Sequence, residues 1–435
     1  MGQGQGIIVD MQIESVPFET VNRRVEEVYS KNMEIRKLDN TYRERIIEIF
    51  TICFDYKFDI DEDGPFFDDP SLWECVWGAF DGQTLIASYI SYKQRVKIRN
   101  RAIECRYLDG VATLPEYRNM GIIKDIFMRD CADALDNGIN IMMLDPFKHD
   151  YYRKLGFETA LENLNLSFDY SLLSREMVEN DLRIVSGMLF QKDSMKSLVE
   201  AALEKLWEES RYAEVKEISA YSQGIYREKD LLCAVALDDD DLPHGLILYS
   251  KKERKMNIRR FSFTDLQGFY ALKKFLLNHR DQLSSFEIRR VPPDFPVELL
   301  LHSGWQAGKF AELKDFSSRM MRILSPVAVI SELMNKKIPD RVIIEIEDRN
   351  LPQNNLSLSV GNGEVVTSTD RHGLSISISD LVPIVTGRIS ASRLWRMGKL
   401  GKGECGKLSW GITEVPLDVQ ILDSLFPRIT THNVH

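Results

Sequence analysis

Between positions 107 and 157 the chain carries three residue types suited to holding and moving charge: an arginine and a glycine at a helix start, a tyrosine, and a glycine four residues after it. Residues 107–114 (YLDGVATL) read as a strand running into Pro115, followed by the loop Arg118-Asn119-Met120-Gly121 and an amphipathic run, IIKDIFMRDCADAL. A helix that opens on glycine leaves its first backbone N–H groups without intrahelical acceptors, at the positive end of the helix dipole. Such a turn is an anion site, suited to a diphosphate. One helix and one strand (139–144) later comes Tyr152-Arg153-Lys154-Leu155-Gly156-Phe157. A phenol has an ordinary pKa of about 10, so at neutral pH Tyr152 keeps its proton and suits an acid better than a base. Its neighbour Tyr151 is expected on the opposite face.

A sheet and helices must hold these residues. Residues 33–38 alternate as a half-buried strand, and Asp39 can cap a helix at 42–54 whose Ile46, Ile47, Ile49 and Phe50 form an apolar face. Two hairpin-like runs follow, 77–92 turning at Asp81-Gly82 and 94–108 turning at Arg99-Asn100-Arg101. The order is β-α-α-β-β-β-α-β-α-β, ending near residue 170. Residues 1–32 read as an extension with a charged helical stretch at 21–30.

At 435 residues the chain has the length of about three domains. Its 44% hydrophobic and 28% charged residues are an ordinary globular balance. A net charge of −10 argues against a nucleic-acid partner, whose phosphates need a basic face, and is compatible with a cationic substrate. The six cysteines (Cys53, Cys75, Cys105, Cys131, Cys233, Cys405) form no C-x-x-C pair, which points to a reducing compartment rather than a disulfide scaffold or zinc site. Cys131 reads as a small core hydrophobe. The seven histidines, including His149 near Tyr152, show no metal-ligand spacing, and no metal is expected. No apolar run approaches the roughly 18 residues needed to span a bilayer. The start MGQGQGIIVD lacks the features of a signal peptide, and Gly6 stands where a myristoylation signal has Ser or Thr. No membrane association and a cytoplasmic location are expected.

The loop at 118–123 resembles the R-x-x-G-x-(G/A) element with which GNAT N-acetyltransferases hold the pyrophosphate of coenzyme A. Tyr152, Gly156 and Phe157 resemble that family's second motif, whose tyrosine sits beside the coenzyme sulfur. Ile123 departs from the family's Gly or Ala, and a bulky aliphatic there is typical of the enhanced-intracellular-survival (Eis) type. The resemblance implies acetyl-CoA as co-substrate. Backbone groups of Val111, Ala112 and Thr113 would pair with the pantetheine arm as an added half-strand. The N–H groups of Asn119, Met120, Gly121, Ile122, Ile123 and Lys124, with Arg118, would cradle the pyrophosphate. Tyr152 would protonate the leaving sulfur as general acid. The Eis type also implies a general base that no motif reveals, the chain's terminal carboxylate, here that of His435. With an ordinary pKa of about 3.3–3.7 it is ionised at neutral pH. Family members end in an aromatic residue, from which imidazole departs. The polar tail 429–435 suits insertion into a cleft, and an ordinary surface end is the other reading. The implied acceptor is an aminoglycoside-like polyamine or a lysine side chain. The implied assembly is a homo-oligomer, a hexamer being one form it allows. A non-catalytic coenzyme- or lipid-binding protein is the alternative on the same scaffold.

The expected fold is therefore α+β, with two tandem GNAT-like mixed-sheet domains (33–170, catalytic; 171–312, degenerate) followed by a sterol-carrier-like domain (313–435). The second repeats the theme with strands at 231–237, 245–250 and 256–263 and a helix opening at Asp265-Leu266-Gln267-Gly268. It has no arginine three residues before Gly268, and Asp265 would repel a diphosphate, so coenzyme binding is expected to be lost. An unrelated α+β domain is the other reading. In the third, a helix ending at Met334, strands at 342–347, 356–360, 364–368 and 374–378, and helices at 378–386 and 391–397 match the layout of the Eis-type C-terminal domain. Residues 55–69 hold seven carboxylates against one lysine and read either as a rim that draws a cationic acceptor or as a solvated loop. A calcium loop is excluded because its twelfth position is Pro70.

Overall fold

The computed structural model describes residues 33–54, 57–59, 63–189, 193–209, 214–217, 230–302, 310–316, 319–370, 372–401 and 414–429. The expected helical stretch at 21–30 lies outside them. Strands β1 (Met33–Lys37), β2 (Val76–Asp81) and β3 (Thr84–Ile98) run antiparallel, the last two through a turn at Gly82. β3 meets β4 (Arg101–Thr113) through Arg99 and Asn100, whose φ values of 51° and 61° are those of a type I′ hairpin turn. Helix α1 (Arg43–Phe54) lays Ile46, Ile49 and Phe50 on one face of this sheet. Helix α2 (Ile122–Asp136) lays Ile126, Phe127, Cys131 and Ala134 on the other.

β5 (Ile141–Leu144) pairs in parallel with β4 from Arg106↔Met142 to Leu108↔Leu144 and no further. Beyond Leu108 the two strands part. At the fork the register of β4 against β3 slips between Ser88 and Ile90, and Gly110 takes φ +57°. A Cβ there would stand 2.6 Å from the Phe50 ring, so this bulge requires glycine. The short helix α3 (His149–Arg153), β6 (Glu158–Thr159) and β7 (Asn163–Asp169) follow.

The second unit contains β8 (Arg183–Met188), helix α4 (Asp193–Glu209), β9 (Glu214–Glu217), β10 (Leu232–Leu237), β11 (Pro243–Lys252), β12 (Lys255–Phe263), helix α5 (Leu266–Leu277), β13 (Ser285–Val291) and β14 (Ala311–Phe316). Its sheet has the order β14-β7-β13-β12-β11-β10-β8, with α5 packed on one face and α4 on the other. Strands cross the boundaries expected at 170 and 312. β7 lies inside the second sheet, and β15 (Met320–Ile323) lies in the first, between β5 and β6. All four residues of β15 are buried, as an inner strand covered on both faces requires. β9 pairs with the far end of β3.

The third unit has helix α6 (Pro326–Leu333), strands β16 (Arg341–Glu347), β17 (Leu356–Gly361), β18 (Glu364–Ser368) and β19 (Leu374–Ser377), and helices α7 (Ile378–Thr386), α8 (Ala391–Arg396) and α9 (Leu417–Leu425). Its sheet order is β18-β17-β16-β19. Met321 and Ile323 of β15 join Ile141 and Met143 to Leu381, Ile384 and Leu422 in one continuous core. The first and third units therefore share their interior.

Candidate active site

Leu114 N donates to Ile86 O on β3 (3.0 Å), and strand alternation then turns Thr113 and Val111 toward the gap beyond β5. The Thr113 carbonyl accepts from Arg118 Nε (3.2 Å) and Cys53 Sγ (3.3 Å), which ties the loop to the strand end. Asn119 and Gly121 both have positive φ, 64° and 79°. Left-handed residues in such a turn aim successive N–H groups into one concavity. The first backbone bond of α2 runs from Asp125 N to Gly121 O (3.1 Å). Among the described residues, the amides of Asn119, Met120, Gly121, Ile122, Ile123 and Lys124 have no acceptor. Ile122 and Ile123 turn into the core under α2, so the bulk of Ile123 does not cover those amides. Gly121 is required by its backbone angle and not by crowding, since no atom would lie within 4 Å of a Cβ there.

A buried ion network fixes α2 on the sheet. Arg106 Nη1 donates to Asp130 (2.8 Å), Arg106 Nη2 to Asp133, Tyr89 Oη to Asp130 (3.1 Å) and Lys37 Nζ to Asp133 (3.1 Å). Burial pushes the Asp130 carboxyl above its ordinary pKa despite Arg106. At Asp133 burial is outweighed by the bonds from Arg106 and Lys37, and its carboxyl is lowered. The sequence reading missed this network. Its signal is an aspartate inside the apolar stripe of Ile126, Phe127, Cys131 and Ala134.

Tyr152 lies on α3, 3% exposed, in the same core cluster as Ile122, Ile123, Leu108 and Leu144, with Val111 and Met120 at its edge. The structure thus gathers the strand end, the loop and the tyrosine. Burial drives the phenol pKa well up, and nearby Tyr151 and Asp109 add to the rise, so the group is protonated across the physiological range. Its hydroxyl makes no hydrogen bond among the described residues. Tyr151 corrects an expectation. It packs edge-on against Tyr152 (5.1 Å, 90°), half-buried on the same core, because helical neighbours sit about 100° apart rather than on opposite faces. Phe147, 71% exposed, contacts both rings at 5.5 Å.

Other candidates do not join this group. His435 and Asp61 lie outside the described residues. Asp63 accepts from Asp59 N and Asp69 caps a turn at Ser71 N within their own loop, and Asp68 pairs with Arg43 of α1 (3.5 Å). In the second unit the Asp265 carboxylate accepts from Gly268 N (2.8 Å) and pairs with His244 (2.6 Å), placing a fixed negative charge at that helix start. A Cβ on Gly268 would stand 2.0 Å from His244 O, so backbone closes over that turn where the Gly121 turn is open. Among the described residues no group of three His, Cys, Asp or Glu could hold a metal, and no helix is long and apolar enough to cross a membrane.

Residues 34–160 match the family description "Acetyltransferase (GNAT) domain", residues 204–323 match a second GNAT description, and residues 326–432 match "Sterol carrier protein domain". The chain belongs to the GNAT N-acetyltransferases, with two such domains and a sterol carrier domain. The expected three-part α+β architecture, with the second unit GNAT-like, is borne out. A conserved protein of Enterococcus faecalis V583 is similar over 93% of this chain and 99% of its own (TM-score 0.78, 16% identity). So is a GCN5-related N-acetyltransferase of Kribbella flavida (93% and 98%, TM-score 0.73, 17% identity). Eis1 from Mycobacterium abscessus matches over 92% and 98% (TM-score 0.72, 17% identity), so the fold resembles the Eis type across all three units. No curated protein matches the chain in sequence.

Proposed function

We propose that the first domain transfers an acetyl group from acetyl-CoA directly to an amine within a ternary complex. The observation that carries this reading is the row of unpaired amides at 119–124, held by two left-handed residues and ending on the core that holds Tyr152. Those amides and Arg118 bind the pyrophosphate, and the backbone of Val111, Ala112 and Thr113 at the open fork, with Val111 and Thr113 turned toward the gap, aligns the pantetheine arm. Acetyl-CoA supplies the acetyl group already activated as a thioester. Tyr152 gives its proton to the departing sulfur as the amine nitrogen bonds to the carbonyl carbon and the C–S bond breaks. The terminal carboxylate of His435 takes the proton from the amine. Ile429 N is anchored on Gly387 O (2.9 Å), and the six residues beyond it can reach about 20 Å. The acceptor is an aminoglycoside-like polyamine or a lysine side chain. The second domain, with Asp265 on its own helix start, takes no coenzyme. The enzyme works as a cytoplasmic homo-oligomer.

Calorimetric titration with acetyl-CoA should show a single site per chain, and thiol release should depend on an added amine. Tyr152→Phe should lower kcat by about 10²–10⁴-fold with coenzyme affinity unchanged. Absence of binding heat, or an unaffected Tyr152→Phe enzyme, would overturn the reading. Deleting residues 433–435 should abolish transfer and spare coenzyme binding; an unchanged kcat removes His435 from the mechanism.

A further inference from the structure

Arg322 stands in the middle of β15 with its side chain fully buried, and Nη2 donates to Asp348, also fully buried. Among the described residues Nε and Nη1 have no partner. An ion pair this deep is costly, and apolar residues of the same volume would serve stability at least as well. Its value must lie in geometry. The guanidinium carbon and Nη1 lie 2.9 Å from where a Cβ of Gly156 would be, and Gly156 holds φ +87°. The turn containing Gly156 closes on Tyr152 itself, whose carbonyl accepts from Leu155 N (2.9 Å) and Phe157 N (3.2 Å).

Asp348 organises the matching loop of the third domain. Its Oδ1 accepts from Asn350 N (3.0 Å) and Leu351 N (3.1 Å), and its Oδ2 from Asn354 Nδ2 (2.9 Å). Asn350 Nδ2 then donates to Lys154 O (3.0 Å), two residues beyond Tyr152, and Leu351 packs in the core with Tyr152 and Phe157. We propose that Arg322 and Asp348 are positioning residues. They clamp the Gly156 turn between β15 and the 348–354 loop, so that the third domain sets where the Tyr152 hydroxyl points. The inference rests on the reading of Tyr152 as the acid.

The test is a double-mutant cycle on the full chain with Asp348→Asn, Asn350→Ala and Tyr152→Phe. Asp348→Asn and, more mildly, Asn350→Ala should lower kcat by about tenfold and about fivefold, while the acetyl-CoA Kd stays within about twofold. In the Tyr152→Phe background each should change kcat by less than about twofold, because the misplaced group is already gone. Undiminished effects in that background, unchanged kcat, or coenzyme affinity lost alongside kcat would overturn the proposal. A Tyr152→Phe enzyme as active as the parent would instead fail the acid assignment, a separate result. Asn350→Ala removes only a surface tie, so it answers the question even if Asp348→Asn unfolds.

Discussion

Gly156→Ala and Gly138→Ala add the same methyl group to backbones of the same hand, with φ of 87° and 74°. At Gly138 no atom lies within 4 Å of the new Cβ, so the cost is that of a left-handed alanine alone, about 1–2 kcal/mol. At Gly156 the methyl would stand 2.9 Å from the Arg322 guanidinium carbon, which has no free space to enter. Overpacking of this kind adds about 1–3 kcal/mol, and parting the buried pair with Asp348 raises the total to about 3–5 kcal/mol. Urea unfolding followed by tryptophan fluorescence reads the difference, comparing one transition between variants because a three-domain chain need not unfold in a single step. Gly138→Ala should keep its thiol-release activity and Gly156→Ala should lose it. Equal stability losses, within about 0.5 kcal/mol, would refute the claim that Arg322 is held rigidly against this turn.

The ion network under α2 makes a second prediction. Asp130→Asn should cost about 3 kcal/mol by leaving Arg106 with Asp133 alone, read as a lower melting temperature. In acid, Asp133, Glu158 and Asp265 should act together, since their folded carboxyls sit below their ordinary pKa values. Such groups contribute stability that is full above the unfolded values near 4 and lost as pH falls through the folded ones, so melting temperature should drop below about pH 4. His244 has the opposite sign. Burial alone would lower it, but its hydrogen bonds to Asp265 and Asp238 prevail and hold it above 6.5. Its contribution is complete below about pH 6.5 and fades as pH rises through the folded value. His244→Gln should flatten that decline in pH-dependent melts, and an unchanged slope would separate His244 from it.

The sequence made the elements around the Gly121 turn legible because their determinants are local. The strand end, Gly121 with its left-handed angle, and the apolar stripe of α2 all fall within about thirty residues, and turn chemistry and helical period act at that range. Asp265 was legible for the same reason, since a cap reaches only the first turn. The element order held a helix after 139–144, but its position under Tyr151 and Tyr152 was not legible, because five residues carry too little periodicity to separate helix from strand. Strand exchange was also hidden. The pairing of Met320 with Leu144 joins segments far apart in the chain, and any inner strand with a matching face could have filled that slot. The overlooked clue was Arg322 within Met-Met-Arg-Ile-Leu, as Asp130 was within the apolar face of α2. A charge set in an otherwise apolar stripe cannot be left unpaired in the interior, so it predicts a buried partner of opposite sign on another element. Asp130 meets Arg106 across one domain, and Arg322 meets Asp348 across two. The second case is what turns a sterol-carrier domain, joined through β15, into part of the wall behind Tyr152.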